Sequence, residues 1–195
     1  ADFVGDSLKL SQLAAAQKDA RYIVFCGVHF MAESADILAG GGRAVILPNL
    51  RAGCPMADMA DADALQTALD ELAELTDEPI VPVTYVNSTA SAKAVTARAG
   101  GACCTSSNAR NVFAWALAPR GRGGAGGRKV LAVPDQHLGR NTAAAMGYDE
   151  AACALYDPHL PRGGLDAEAV RRATFLLWKG HCYVHQLFRP DDVRK

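Results

Sequence analysis

Two cysteines stand in polar, proline- and glycine-bearing loops. Cys54 lies in Pro48-Asn49-Leu50-Arg51-Ala52-Gly53-Cys54-Pro55 and Cys182 in Lys179-Gly180-His181-Cys182-Tyr183. Thiolates are soft ligands that suit zinc or iron–sulfur clusters. No CxxC pair occurs, which argues against a structural zinc site built from closely spaced ligands. One thiol on each of two facing units would suit a cluster held between them. Ordinary free thiols are the competing reading, and two cysteines cannot by themselves hold a four-iron cluster. Of the other cysteines, Cys26 and Cys153 fall within apolar runs and are expected to be buried as small hydrophobes, while Cys103 and Cys104 are adjacent at a strand end.

Hydroxyl and amide groups form a second set. Thr105-Ser106-Ser107 sits between a strand and a helix that begins near Asn108. Such residues cap helices, and hydroxyls with free N–H groups at a helix start also favour carboxylates and phosphates; the two readings are compatible. Tyr85 and Asn87, two residues apart, share one face of a strand and would orient a small polar substrate or serve as hydrogen-bonded structure. Asp135-x-His137 and Asp157-x-His159 are candidates for metal or acid–base work, with polar strand-end structure as the preferred reading. A Ser-His-Asp hydrolase has no support, because no G-x-S-x-G elbow is present.

These residues need elements to hold them. Short apolar runs at 22–25, 44–47, 80–86, 102–104, 129–133, 152–156 and 174–178 predict strands, several rich in Val and Ile as strands buried on both faces should be. Between them, 61–75, 91–98, 108–117 and 166–172 predict helices, the last with Asp166 as N-cap. Strands alternating with helices mean an α/β fold of parallel sheets with right-handed crossovers. Ligands of such sheets gather at the carboxyl ends of the strands, where the polar residues above fall. Thr76-Asp77-Glu78-Pro79 divides the chain into a first unit, 1–78, and a second, 79–195. The stretch 119–128, PRGRGGAGGR, reads as a flexible surface loop and lacks the strand–helix context of a phosphate-binding loop.

With 195 residues, half of them apolar, the chain can bury a real core. A net charge of −1 gives no basis for a nucleic-acid or anionic-membrane partner. No apolar run approaches the roughly 20 residues of a membrane span, so a soluble, cytoplasmic protein is expected.

Seven stretches, in order, resemble quinolinate synthase: ADFVGDSLKL from Ala1, VFCGVHFMAESADIL from Val24, LPNLRAGCPMADM from Leu47, VTYVNSTASAKA from Val83, CTSSNA from Cys104, VPDQHLGRNTA from Val133 and KGHCYVHQLF from Lys179. The resemblance implies three similar three-layer αβα units in a pseudo-threefold enzyme, the first two of them in this chain. It implies a [4Fe–4S] cluster held by three cysteines, with Cys54 and Cys182 as two of them. It implies that Ser7, Tyr85, Asn87 and Ser106 hold a dicarboxylate, with Tyr85 also serving catalysis. The implied reaction condenses iminosuccinate (iminoaspartate) with dihydroxyacetone phosphate, losing phosphate and two waters, to give quinolinate for NAD synthesis. L-Aspartate oxidase would be the upstream supplier. An open iron would act as a Lewis acid, which explains the use of three rather than four cysteines. A His-x-Tyr motif, a His-Pro-Glu motif and the third cysteine of the family fall outside this sequence, so the 195-residue chain is expected to be an inactive fragment. The rival expectations are a truncated, non-catalytic paralogue and another three-cysteine dehydratase.

Overall fold

The computed structural model describes residues 1–120 and 123–194. Its first part runs α1 (Ser7–Ala16), β1 (Tyr22–Val24), α2 (His29–Ala39) and β2 (Ala44–Ile46). β1 and β2 pair in parallel, with Tyr22 opposite Ala44 and Val24 opposite Ile46. Ile23 and Val45 pack inward against Ala14, Phe25, Ala32 and Ala35. The alternate residues Tyr22, Val24 and Ile46 face outward and are exposed, as the two-residue period of a strand requires.

The second part holds α3 (Ala62–Ala73), β3 (Ile80–Tyr85), α4 (Ala90–Arg98), β4 (Ala102–Cys104), α5 (Ala109–Leu117) and β5 (Lys129–Val133). It continues through α6 (Gln136–Ala145), β6 (Cys153–Tyr156), α7 (Ala167–Arg172), β7 (Phe175–Trp178) and α8 (Tyr183–Leu187). Five strands form one parallel sheet in the order β4-β3-β5-β7-β6. Alternation splits its core in two. Leu131, Val133, Leu176 and Trp178 meet Leu65, Leu72, Val95 and Val170 on one face. Val130, Ala132, Phe175 and Leu177 meet Phe113, Ala116 and Ala143 on the other. The second unit is therefore a three-layer αβα sandwich. The chain leaves β3 for β4 on one side and returns to β5 on the other, which makes the carboxyl ends of β3 and β5 the topological switch point.

Helix α3 changes the division drawn from sequence. The linker at 76–79 placed it with the first unit, yet Leu65, Ala68 and Leu72 are fully buried against the five-stranded sheet. Its apolar face finds there the surface that the two-stranded sheet is too narrow to offer. The 119–128 stretch also differs from a free loop in its described part. Gly124, Gly126 and Gly127 donate backbone hydrogen bonds to the carbonyls of Pro119, Ala118 and Ala116, pinning the loop to the end of α5; Gly121 and Arg122 lie outside the described residues. At the amino end of β5, the buried Lys129 ammonium is satisfied by the Arg171 and Ala173 carbonyls and by Glu78, at 3.0, 2.8 and 2.8 Å, as a buried charge must be.

Candidate active site at the strand ends

β3 delivers Tyr85 and Asn87 half-buried, while Val86 and Ser88 between and beyond them turn inward. The geometry is fixed by backbone: Val86 donates to the Cys104 carbonyl at 2.8 Å, and the Ser88 hydroxyl donates to the Tyr85 carbonyl at 2.8 Å. Thr89 then caps α4, accepting from the Ala92 N–H. β4 ends at Cys104 and gives way to Thr105-Ser106-Ser107. The Asn108 side chain is spent on the Thr105 N–H at 2.7 Å, and the Thr105 and Ser107 hydroxyls share a 2.9 Å hydrogen bond. No side chain caps α5, so the polar start of that helix is left open to a ligand.

Across from these residues stands the first turn of α1. Asp6 caps it, accepting from the Lys9 N–H at 2.9 Å. The buried Ser11 hydroxyl ties the helix to α2, reaching the Ser7 carbonyl at 2.9 Å and the Met31 carbonyl at 3.3 Å. Between the α1 turn and the two strand ends is a cavity of ≈ 440 Å³ whose lining includes Ser7, Tyr85, Asn87 and Ser106. All four residues singled out from sequence for a dicarboxylate therefore share one hollow, although Ser7 is remote from the others along the chain. A larger hollow, ≈ 690 Å³, lies at the opposite edge around Pro79, Arg128 and Arg171, away from the strand ends where parallel sheets bind substrates.

Burial pushes the Tyr85 phenol above its ordinary value; the Ser106 hydroxyl beside it pulls the other way, and negative charge on Cys104, Asp135 or Cys182 would push it further up. Tyr85 is thus a neutral O–H donor throughout the physiological range. The same influence shows that the ends of β5 and β7 lie within electrostatic reach of the phenol. Asp6 and Lys9 both line the cavity. Their charges oppose each other, so attraction for an anion rests on hydroxyls, amides and the uncapped start of α5.

The two loop cysteines are half-buried free thiols. The Cys54 loop is held by the His29 N–H, which donates to the Ala52 carbonyl at 2.8 Å, and by the Asp58 N–H, which donates to the Cys54 carbonyl at 3.3 Å. It enters a 3-10 turn, Ala57–Met59, that docks on the end of β7: the Trp178 indole N–H donates to the Met59 carbonyl at 2.8 Å and the His181 N–H to the Met59 sulfur at 3.3 Å. Cys182 is the next residue and the N-cap position of α8. Thiols on two abutting loops fit a soft metal centre in donor type. They do not fit in number, since among the described residues no group of three or more His, Cys, Asp or Glu could hold a metal ion.

Sequence reasoning erred on Cys26, which is exposed. β1 ends at Val24, Phe25 takes the inward position, and Cys26 falls in the following turn, where Gly27 donates to the Phe25 carbonyl. Cys153, expected to be buried, is half-buried because β6 is an edge strand. In both Asp-x-His pairs the carboxylate is engaged in local structure. Asp135 caps α6 through the His137 and Leu138 N–H groups, and Asp157 accepts from the His159 N–H and pairs with Lys179 at 2.6 Å. Met59 was overlooked; its place five residues after Cys54 was the available signal.

Fold and site together define an α/β protein with parallel sheets and a polar cavity at the strand ends. The family model described as "NadA: Quinolinate synthetase A protein" matches residues 1–195, and the chain belongs to that family. It is 54% identical to the quinolinate synthase of a Nocardioides species, over 99% of this chain and 49% of that protein. It is 52% identical to those of Acidobacterium capsulatum and Streptomyces coelicolor, over 99% of this chain and 50% and 48% of theirs. The chain spans about half the length of these curated relatives.

Proposed function

We propose that this chain forms two of the three units of a quinolinate synthase, which condenses iminosuccinate with dihydroxyacetone phosphate to give quinolinate in NAD synthesis. The observation that carries this reading is the single cavity shared by Ser7, Tyr85, Asn87 and Ser106. Its donors are hydroxyls and an amide, the set that recognises carboxylates without adding fixed charge. The Tyr85 O–H, the Asn87 NH₂ and the Ser7 and Ser106 hydroxyls hold the two carboxylates of iminosuccinate, and the open start of α5 adds backbone N–H donors. Because its phenol is held above the ordinary value, Tyr85 keeps its proton and acts as donor and orienter toward the reacting end of the substrate.

Cys54 and Cys182 would be two of the three thiolates that hold a [4Fe–4S] cluster, and the third would come from outside these residues. When bound, the cluster supplies an open Lewis-acid position for substrate oxygen. With two thiols only, the 195-residue chain alone is inactive and retains a cluster poorly. The full enzyme works in the cytoplasm, fed with iminosuccinate by L-aspartate oxidase.

Removing one hydrogen bond to a charged group costs about 1.5–3 kcal/mol, roughly tenfold or more in rate. Tyr85→Phe in the full-length enzyme is therefore expected to lower turnover at least about tenfold, with cluster absorbance and melting temperature unchanged. Undiminished turnover, or an unfolded protein, would defeat the assignment.

A further inference from the structure

We propose that Glu33 is a positioning residue for the substrate cavity, holding the α1 turn and its Ser7 hydroxyl across from Tyr85 and Asn87; the inference rests on the dicarboxylate reading above. Ser7 enters the cavity from a different part of the chain than Tyr85, Asn87 and Ser106. Some contact must therefore fix one wall against the other.

The α1 wall is fastened to α2. The Ser11 hydroxyl reaches the Met31 carbonyl of α2 at 3.3 Å. The Arg43 guanidinium donates to the Ala15 and Gln17 carbonyls at the end of α1, at 2.8 and 3.2 Å, and to the Ala39 carbonyl at the end of α2. One cation thus serves the negative ends of both helix dipoles. Leu10 and Ala14 of α1 share an apolar cluster with Ala32 and Ala35 of α2. Where α2 docks therefore decides where Ser7 stands.

Helix α2 docks on the start of α4. Phe30, Glu33 and Ser34 are spaced three and four residues apart and share one helix face. The Glu33 carboxylate accepts from the Ala90 N–H at 2.9 Å. Ala90 opens α4, and the Thr89 cap is spent on the Ala92 N–H, so the Ala90 donor has no partner within its own helix. A carboxylate there makes a charge-assisted bond and meets the positive end of the α4 dipole. Lys93 grips the same face. Its ammonium donates to the Ser34 hydroxyl at 3.4 Å and to the Ser88 carbonyl at 2.7 Å, and stands 5.6 Å from the centre of the Phe30 ring. Of these two bonds from α2 to α4, the one made by Glu33 is the shorter. Ala90 follows Asn87 by three residues, so the joint holds the chain just where it leaves the cavity.

The test uses the full-length enzyme with its cluster loaded anaerobically, and compares wild type with E33A, E33Q, Ser7→Ala and the Ser7→Ala/E33A double variant. Iminosuccinate is formed from oxaloacetate and ammonia, and its kcat/KM is normalised to cluster content and read beside the melting temperature. Ser7→Ala removes one hydrogen bond to a charged group and should lower kcat/KM about tenfold. E33A should lower it by a similar factor at an unchanged melting temperature. The double variant should lose about tenfold and not about a hundredfold, because displacing Ser7 costs nothing once its hydroxyl is gone. E33Q keeps an oxygen for the Ala90 N–H and should recover most of the E33A loss. Wild-type kcat/KM in E33A overturns the positioning role, as does a loss that follows a lowered melting temperature. Losses that multiply in the double variant overturn Ser7 as the group Glu33 acts through, and E33Q as poor as E33A overturns the Ala90 bond as its basis. Wild-type kcat/KM in Ser7→Ala overturns the dicarboxylate reading itself, which separates that failure from failure of the joint.

Discussion

In β7 every residue from Phe175 to Trp178 is buried, whereas Tyr22, Val24 and Ile46 of β1 and β2 are 60%, 62% and 44% exposed. Both sheets are parallel, and parallel sheets normally have both faces covered. The five-stranded sheet meets that requirement with helices on two sides. The two-stranded one has α1 and α2 packed on a single face. One cavity is nevertheless lined by both, for the weaker part contributes Ser7 and the stronger part Tyr85, Asn87 and Ser106. A rigid wall thus faces a more lightly held one. The joints between them are few and specific: Glu33 of α2 accepts from the Ala90 N–H at the start of α4 at 2.9 Å, and Lys93 of α4 reaches the Ser34 hydroxyl at 3.4 Å. Burial lowers the Lys93 ammonium below its ordinary value, and its 2.7 Å bond to the Ser88 carbonyl holds it beside the strand end that carries Asn87.

The sharpest way to break this comparison is a matched pair of truncations. Leu176→Ala in β7 should cost about 2–5 kcal/mol in denaturant unfolding, because it opens a cavity in a filled core. Val24→Ala, on the bare face, should stay within about 0.5 kcal/mol. Equal costs would mean that the two sheets are not unequal in the way described. Amide exchange followed by mass spectrometry extends the contrast: β5 and β7 should exchange only by global opening and β1 and β2 by much cheaper local opening. Uniform protection would contradict it.

Thiol labelling gives a smaller signal. Burial pushes the Cys104 thiol up to about 12, so almost no thiolate exists at pH 8. Iodoacetamide should modify the exposed Cys26 and leave Cys104 untouched until the protein unfolds. Labelling of Cys104 in the native state would show that the strand-end wall opens.

The smallest expected effect concerns Asp157. Its pairing with Lys179, helped by the His159 N–H, holds the carboxyl below the usual carboxylate range. A depressed carboxylate contributes stability above its unfolded pKa and loses it as pH falls through the folded value. Lys179→Met should therefore flatten the fall of stability between neutral and acid pH. An unchanged slope would show that this exposed pair contributes nothing measurable.

The strands were the most legible feature of the sequence. All seven apolar runs became strands, with ends shifted by at most one residue; in β5 and β7 burial on both faces writes itself as a continuous apolar run. Helix α6 was not legible, since Gly139, Arg140 and Asn141 look like loop. Asp135 caps the helix, and a Cβ at Gly139 would stand 2.7 Å from Leu177, so glycine serves close packing there. Helices α1 and α2 were equally quiet: both are short and rich in alanine.

By itself, the sequence determined the α/β class, the strand order along the chain and the polar residues placed at the strand ends. It also determined the family, through motifs whose order survives without any coordinates. Only the tertiary structure decided which residues meet. It moved α3 onto the second sheet, set the α1 turn across from Tyr85, left Cys26 in solvent and laid Met59 between the two thiol loops. The physical reason is the range of the forces involved. Whether a residue is buried in its own strand or helix is written in its near neighbours. Which faces then meet is settled by fitting apolar surfaces far apart in the chain, as when Leu72 meets Leu131 and Met59 meets Trp178.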